Sequence, residues 1–536
     1  MKKEVDVWSI SAWMIGMALL VPMLAVMSGL LDGGPKWEHV QDTVLAKYIG
    51  NTLILVCSVT TLAMLFAVPA AWLVSVYDFP CRRTFSWLLI LPLSIPTYVA
   101  AFVYYQIPEA AIPLLIKIRS TWGMDVFLQA ESVLRYGTVS VLMASVLYPY
   151  IYLTARVSFS QQCRHCIEAA RTLGKGSRTV FWSVALPIAR PALVAGGTLV
   201  VMEAVNDYGA VHLFGIPTLT EGIFRTWFGL EDAASALRLA GLLIAGVMLI
   251  LFLENLQRGR AKFSDTGDIP DHATRIQLNG FSKIGAMGVC SLPIALGLLF
   301  PLWQLLIWAW RTWGQVFQSE FFGHLVNSFS LALGTAFLLT ALALLLGFAM
   351  SLHKTFWLNT TTRVAALGYA TPGAVIAIGV MATFGTVDGV LSALDNDSLT
   401  PLFLSGTFFA IIFAYCVRFM SVSLNPVQSG MTRICSAYAE ASFSLGHSKS
   451  KTLNHIVMPM LRGTLGVAFV LVFIDILKEL PLTMILRPAN FETMATIAFS
   501  LASEGRIHEC AVPSIVLVAS CAVALGLVHR TVVVDD

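Results

Sequence analysis

With 536 residues, 57% of them hydrophobic and only 12% charged, the chain carries about half the charge of a soluble domain, for which about 25% is usual. That excludes a soluble globular protein and makes the chain an integral membrane protein. Its apolar runs are continuous rather than alternating, which excludes a transmembrane β-barrel, and a net charge of +3 singles out no partner.

Runs long enough to cross a bilayer, about 20 residues, fall near residues 8–30, 49–76, 85–106, 138–155, 191–215 and 235–253. Six more fall near 284–310, 325–351, 364–387, 402–424, 463–486 and 511–528. The first follows Met1-Lys2-Lys3. It is too long for a signal-peptide core and no small-x-small cleavage site follows it, so it reads as a span. With the N-terminus inside, 23 of the 34 Lys and Arg lie on the inner side, which places both termini in the cytoplasm. These basic residues flank spans, so they read as topological signals rather than as a nucleic-acid surface.

Asn51-Thr52 opens the second span and Pro96 lies in the third. Residues 107–137, with Pro108, Pro113, Trp122 and Gly123, read as short outer surface helices. After the fourth span comes a polar loop, about 160–190. It holds Glu168-Ala169-Ala170, then Gly174, then Pro187, with six residues from Glu to Gly and 13 from Gly to Pro. Ala169 and Ala170 are small enough for another protein to approach, Gly174 ends or turns a helix, and Pro187 bends the chain into the next span. Cys163-Arg164-His165-Cys166 has the look of a metal or redox motif, but no second cysteine pair follows at zinc spacing.

The fifth span holds Glu203 and Asp207, four apart and so expected on one helical face. Counted from Pro191, they fall roughly 18 and 24 Å along a helix rising 1.5 Å per residue. Ionisable groups inside spans are costly and mark pathways. Four carboxylates, with Asp475 and Glu479 matching these two in the second half, suit a hard cation with oxygen ligands; Tyr208 adds a phenolic oxygen if it turns inward. The other reading is that these acids sit in wetted helix ends, or pair with Lys478 and Arg487 to hold the bundle.

Residues 254–283 are polar, with Gly267, Pro270 and Gly280. The chain divides accordingly into a first six-helix lobe, 1–262, a cytoplasmic linker, 263–283, and a second lobe, 284–536. The second lobe repeats the first. Asn327-Ser328 and Pro372 each follow their counterparts by 276 residues, and the loop at about 428–462 repeats Glu440-Ala441, Gly446 and Pro459 at the same internal spacing. Two parallel repeats imply a pseudo-two-fold axis along the membrane normal with a pathway between the halves. No phosphate-cradling Gly-x4-Gly-Lys-Ser/Thr exists in the chain, and no catalytic triad or zincin motif is evident, so it reads as a non-catalytic subunit.

The Glu-Ala-Ala-x3-Gly-x12-Pro loop resembles the signature loop of permeases in type I binding-protein-dependent ABC importers. That resemblance implies an all-α polytopic fold of two tandem six-helix modules. It makes Glu168, Ala169, Ala170, Gly174, Pro187, Glu440, Ala441, Gly446 and Pro459 a pair of coupling loops for a dimer of ATPase subunits. Ser442, where Ala is usual, departs mildly. Asn206-Asp207-Tyr208-Gly209-Ala210, Phe214-Gly215-Ile216-Pro217-Thr218, Lys478-Glu479-Leu480-Pro481 and Leu486-Arg487-Pro488 are similar to fused ferric-iron (Fbp-type) permeases. The resemblance implies an inner-membrane permease that receives ferric iron from a periplasmic binding protein. ATP and magnesium would lie on the partner subunit, and no cofactor or tight metal on this chain. Thiamine, polyamine and phosphonate importers share the general form. A gradient-driven secondary transporter also has two parallel repeats, but has no use for matched docking loops.

Overall fold

The computed structural model describes residues 7–31, 34–162, 169–170, 172–258, 275–352, 360, 367–394, 404–433 and 436–533. Among these the chain is all helix apart from two strands of two residues each. In hydrocarbon no water is available to the backbone, so a span must satisfy its own amide and carbonyl groups, and long apolar runs close into helices. Among the described residues eleven helices are long and apolar enough to cross a membrane; there are twelve if the pair Lys449–Met460 and Arg462–Leu477, bent by 77°, counts as one.

The same trio of helices packs in both halves. Ala46–Val76 lies against Met124–Val157 and Leu186–Asn206, and Ser319–Leu352 lies against Phe408–Arg433 and Arg462–Leu477. The repeat extends to single hydrogen bonds. Asn51 Nδ2 donates to the Pro217 carbonyl at 2.9 Å, and Asn327 Nδ2 to the Glu492 carbonyl at 3.2 Å. The next residue accepts in each case, Thr52 Oγ1 from the Leu219 amide at 3.0 Å and Ser328 Oγ from the Met494 amide at 2.7 Å. These side chains take up backbone groups that a loop leaves unpaired where it enters a buried helix.

Among the described residues four predicted spans are not continuous helices, 364–387 being broken at Thr371-Pro372. Residues 85–106 divide into Arg82–Leu88, a 3-10 turn at Leu91–Ser94, and Thr97–Tyr104, because Pro92 and Pro96 lack the amide hydrogen a helix interior needs. Pro96 caps the second piece in extended conformation, and its carbonyl accepts from the Ala100 amide; Pro372 accepts from the Ile376 amide in the same way. Residues 191–215 break after Asn206, and residues 463–486 break after Leu477. Segment 107–137 forms the expected short helices in its first part, Gln106–Ala110 and Ile112–Trp122, while its second part already belongs to the fourth span, whose 34-residue helix begins at Met124.

Two compact units emerge: residues 1–40, 222–244 and 311–536, and residues 41–221 and 245–310. In the first, Val7–Ser28 packs on Gly373–Leu394; in the second, Phe281–Ile294 packs on Ala46–Val76. Each half's opening helix is therefore built into the unit made mostly of the other half. Of the linker, residues 263–274 lie outside the described residues. Its end is structured: β2 (Ile276–Gln277) pairs in parallel with β1 (Tyr77–Asp78), and a helix begins at Phe281.

Thr52→Val and Ser328→Ala each leave a buried amide without an acceptor, which costs about 1–3 kcal/mol. Both variants are expected to unfold at lower denaturant in micelles, with Ser328→Thr near wild type. Unchanged midpoints would show that these bonds do not hold the loops.

Candidate functional site

Two kinds of site repeat, one at the polar loops and one at the broken spans. In the first loop Glu168, Cys163 and Cys166 lie outside the described residues. Ala169 is exposed and Ala170 half-buried. Helix is closed by Gly174 at φ +77°, with the Lys175 amide donating to the Ala170 carbonyl at 3.1 Å. The second copy places Glu440 and Ala441 in the helix Ser436–Ser444, with Ala441 exposed. Gly446 stands at φ +79°, and the His447 amide donates to the Ser442 carbonyl at 3.2 Å. A left-handed residue after the last turn returns an amide to an orphan carbonyl, and glycine takes that conformation without a Cβ penalty.

The departure at Ser442 is compensated. Its hydroxyl is buried and lies 2.8 Å from Thr452 Oγ1; the first copy has Ala170 and Val180 at these positions. Beside each glycine sits a large apolar side chain in the open, Leu173 at 80% exposure and Leu445 at 78%. Soluble surfaces leave single leucines exposed often, but these two occupy equivalent positions of a repeat.

Behind each turn the chain is tied to the second helix of its half. Trp72, Phe159 and Phe181 form an aromatic cluster with ring centroids 5.1–6.5 Å apart. The equivalent residues Phe348, Met431 and Leu453 belong to one apolar cluster with Leu344, Val457 and Leu461, on which Trp8 also packs. A push on either turn thus reaches a membrane-spanning helix through close-packed side chains, which yield little. The two prolines differ. Pro187 does not bend the chain as expected: it follows the π-helical turn Phe181–Ala185, and Ser177–Asn206 runs on as one span. The 77° break follows Pro459, at Leu461.

At the broken spans the predicted helical face does not exist. Glu203 is in the helix, but Asp207 lies beyond its end with extended backbone (ψ 121°). The Asp207 carboxylate turns back to start the next short helix, accepting from the Ala210 amide at 2.8 Å. Glu479 does the same with the Leu482 amide at 3.2 Å. Both acids are buried, and both supply an acceptor to an amide freed by the break.

Their charges are handled differently. Arg418 Nη1 lies 3.1 Å from Glu479 Oε1, with both side chains under 10% exposed. The guanidinium fits because residue 373 is glycine: a Cβ there would sit 1.7 Å from Arg418 Nη1. The equivalent first-half residue is Thr97, whose hydroxyl donates to Asp207 Oδ2. Among the described residues no cation pairs with Asp207. Asp475 is bridged to Lys478 at 2.8 Å, whereas Glu203 accepts from the Tyr150 hydroxyl at 3.4 Å. The expected pairing of Arg487 with these acids is replaced by an ion pair with Glu492. Tyr208 is buried and its ring stacks on His212, centroids 5.0 Å apart. Gly373 and Thr97 escaped the sequence reading. Arg418 entered it only as an inner-side charge, although a lone cation in an apolar run is a signal, and Leu173 and Leu445 stood at matching places of the repeated loop without being given a role.

A polytopic all-α chain with two such repeats and two matched turns has the build of a transport permease. Residues 60–259 match the family described as binding-protein-dependent transport system inner membrane component, and over its length the chain is similar to ABC transporter permeases. It is similar to the Fe(3+)-transport system permease protein FbpB 2 of Haemophilus influenzae, 24% identical over 96% of each chain. It is also similar to the ferric transport system permease protein FbpB of Actinobacillus pleuropneumoniae, 24% identical over 67% of this chain and 53% of that one. The sulfate transport system permease protein CysT of Escherichia coli is 25% identical over 45% of this chain and 87% of its own.

Removing one partner of a buried ion pair costs about 3–5 kcal/mol, whereas replacing both is far milder. Glu479→Gln, which keeps an acceptor for the Leu482 amide, is expected to destabilise the protein by about that amount. Arg418→Met with Glu479→Gln is expected to recover most of the loss in chemical denaturation. Equal stability of the single and double variants would remove the ion pair from the account.

Proposed function

We propose that this chain is the translocating subunit of an ATP-driven importer in a bacterial inner membrane, and that its cargo is ferric iron. A periplasmic binding protein delivers the ion to the outer face. A dimer of ATPase subunits docks at the cytoplasmic turns around Glu168-Ala169-Gly174 and Glu440-Ala441-Gly446, with Leu173 and Leu445 as apolar anchors. ATP and its magnesium stay on that partner, and this chain does no chemistry on either. Nucleotide binding draws the docked subunits together and shifts the population from inward-open to outward-open; hydrolysis reverses it.

The observation that carries this reading is the reproduction of one turn, with its left-handed glycine, its 6→1 hydrogen bond and its exposed leucine, in both halves. A gradient-driven transporter has no partner for such a pair. Iron rather than an oxyanion is favoured by the extent of similarity, which spans nearly the whole chain for the ferric relative and under half for the sulfate one. Physical chemistry agrees, since Glu203 and Asp207 would repel an anion while suiting a hard cation. Glu479 is already paired with Arg418, whereas no cation pairs with Asp207 among the described residues, so Asp207 forms the cation contact in this proposal.

The test uses the chain assembled with its ATPase. Leu173→Glu with Leu445→Glu alters side chains that already face solvent, so folding is expected to be unchanged while co-purification of the ATPase and ATP-dependent uptake fall at least tenfold. Gly446→Asn keeps a residue that tolerates φ > 0 and adds bulk into open space, so it is expected to uncouple without unfolding. Glu203→Gln with Asp207→Asn is expected to lower uptake of radioactive ferric iron with the assembly intact. Docking-face variants that transport normally, or uptake of sulfate instead of iron, would overturn the respective halves of this reading.

A further inference from the structure

A charged cleft lies apart from both repeated sites, at the end of the Ala46–Val76 helix. The parallel pairing of β1 with β2 brings Arg275 beside the segment 78–83. Asp78, Cys81, Arg82, Arg83, Arg275 and Gln277 line a cleft of about 630 Å³. Three guanidinium groups share it with one carboxylate. Arg82 is fixed in place: Nη1 donates to the Val74 carbonyl at 3.1 Å, and Nε lies 3.7 Å from Asp78. Burial pushes its guanidinium below the ordinary value, and so do Arg275, Arg156 and Arg83, against the opposing pull of Asp78. Arg83 and Arg275 are exposed.

Crowded like charges repel unless an anion joins them, and a planar guanidinium with five donors matches phosphate oxygens in paired hydrogen bonds. Chance clustering of inner-side basic residues would leave them solvated singly. Here residues almost 200 positions apart are held together by a strand pair that has no other evident use.

We propose that this cleft binds a phosphate-bearing anion, held by Arg83 and Arg275 over the fixed charge of Arg82. The span ends at Val76, so the cleft stands at the depth of lipid headgroups, and basic pockets on the cytoplasmic side of spans suit anionic headgroups. The lipid source rests on the inward orientation proposed above; a free phosphate source does not.

The full-length protein in micelles is to be titrated with phosphatidylglycerol, phosphatidylcholine and inorganic phosphate, and retained ligand read by native mass spectrometry. Wild type is expected to retain phosphatidylglycerol over phosphatidylcholine, and Arg83→Gln with Arg275→Gln to bind it about tenfold more weakly. Arg83→Lys with Arg275→Lys should keep part of the binding, since charge survives without the fork. Inorganic phosphate binding with the same dependence on both arginines, without lipid preference, would assign the site to a soluble phosphate. Both arginines are exposed, so thermal unfolding is expected to be unchanged; the single variant Arg275→Gln serves as a second readout. Retention of lipid and phosphate at wild-type levels in these variants would overturn the proposal, whatever becomes of the transport assays.

Discussion

A helix that breaks where no water can reach it leaves amide hydrogens that must be met by something, and the cost of failing to meet them is of the order of a kcal/mol or more each. The fold turns on how this chain meets them. Asp207 and Glu479 close the starts of the short helices that follow two broken spans. Thr52 and Ser328 take the amides of Leu219 and Met494. The polar residues inside this apolar chain are therefore first of all substitutes for missing backbone partners. Any part they play in passage of cargo is built on that structural duty.

The two halves solve one problem by different means. In the first, Thr97 gives Asp207 a hydroxyl; in the second, glycine at 373 opens room for Arg418 to neutralise Glu479. A buried ion pair is weak evidence for stability, yet it is unforgiving of single replacements. The second half thus carries the more rigid, charge-balanced version of the break. The first keeps Asp207 with neutral donors, the Thr97 hydroxyl and the Ala210 amide. The two copies of the break are thus electrostatically unequal.

Much of this was legible in the sequence for a plain reason: spacing survives folding when both ends lie in one local motif. The glycine of each loop returned as the same turn, and Asn51-Thr52 and Asn327-Ser328 returned as the same pair of bonds. What was not legible depends on partners far along the chain or on where a helix stops. Glu203 and Asp207 are four apart, but the helix ends between them at Asn206; periodicity holds no record of that ending. Arg418 meets Glu479 across 61 residues. Proline was ambiguous for a similar reason, since the helix runs on through Pro187 while the chain breaks just after Pro459.

The opening helices of the two halves are traded between compact units. Were the polypeptide severed anywhere in residues 259–274, neither fragment would be whole by itself. The N-terminal piece would lack the segment 275–310 that completes its own bundle, and the C-terminal piece would lack residues 7–28. Each would carry the other's missing part. Joining the halves in one strand therefore delivers both parts in equal number.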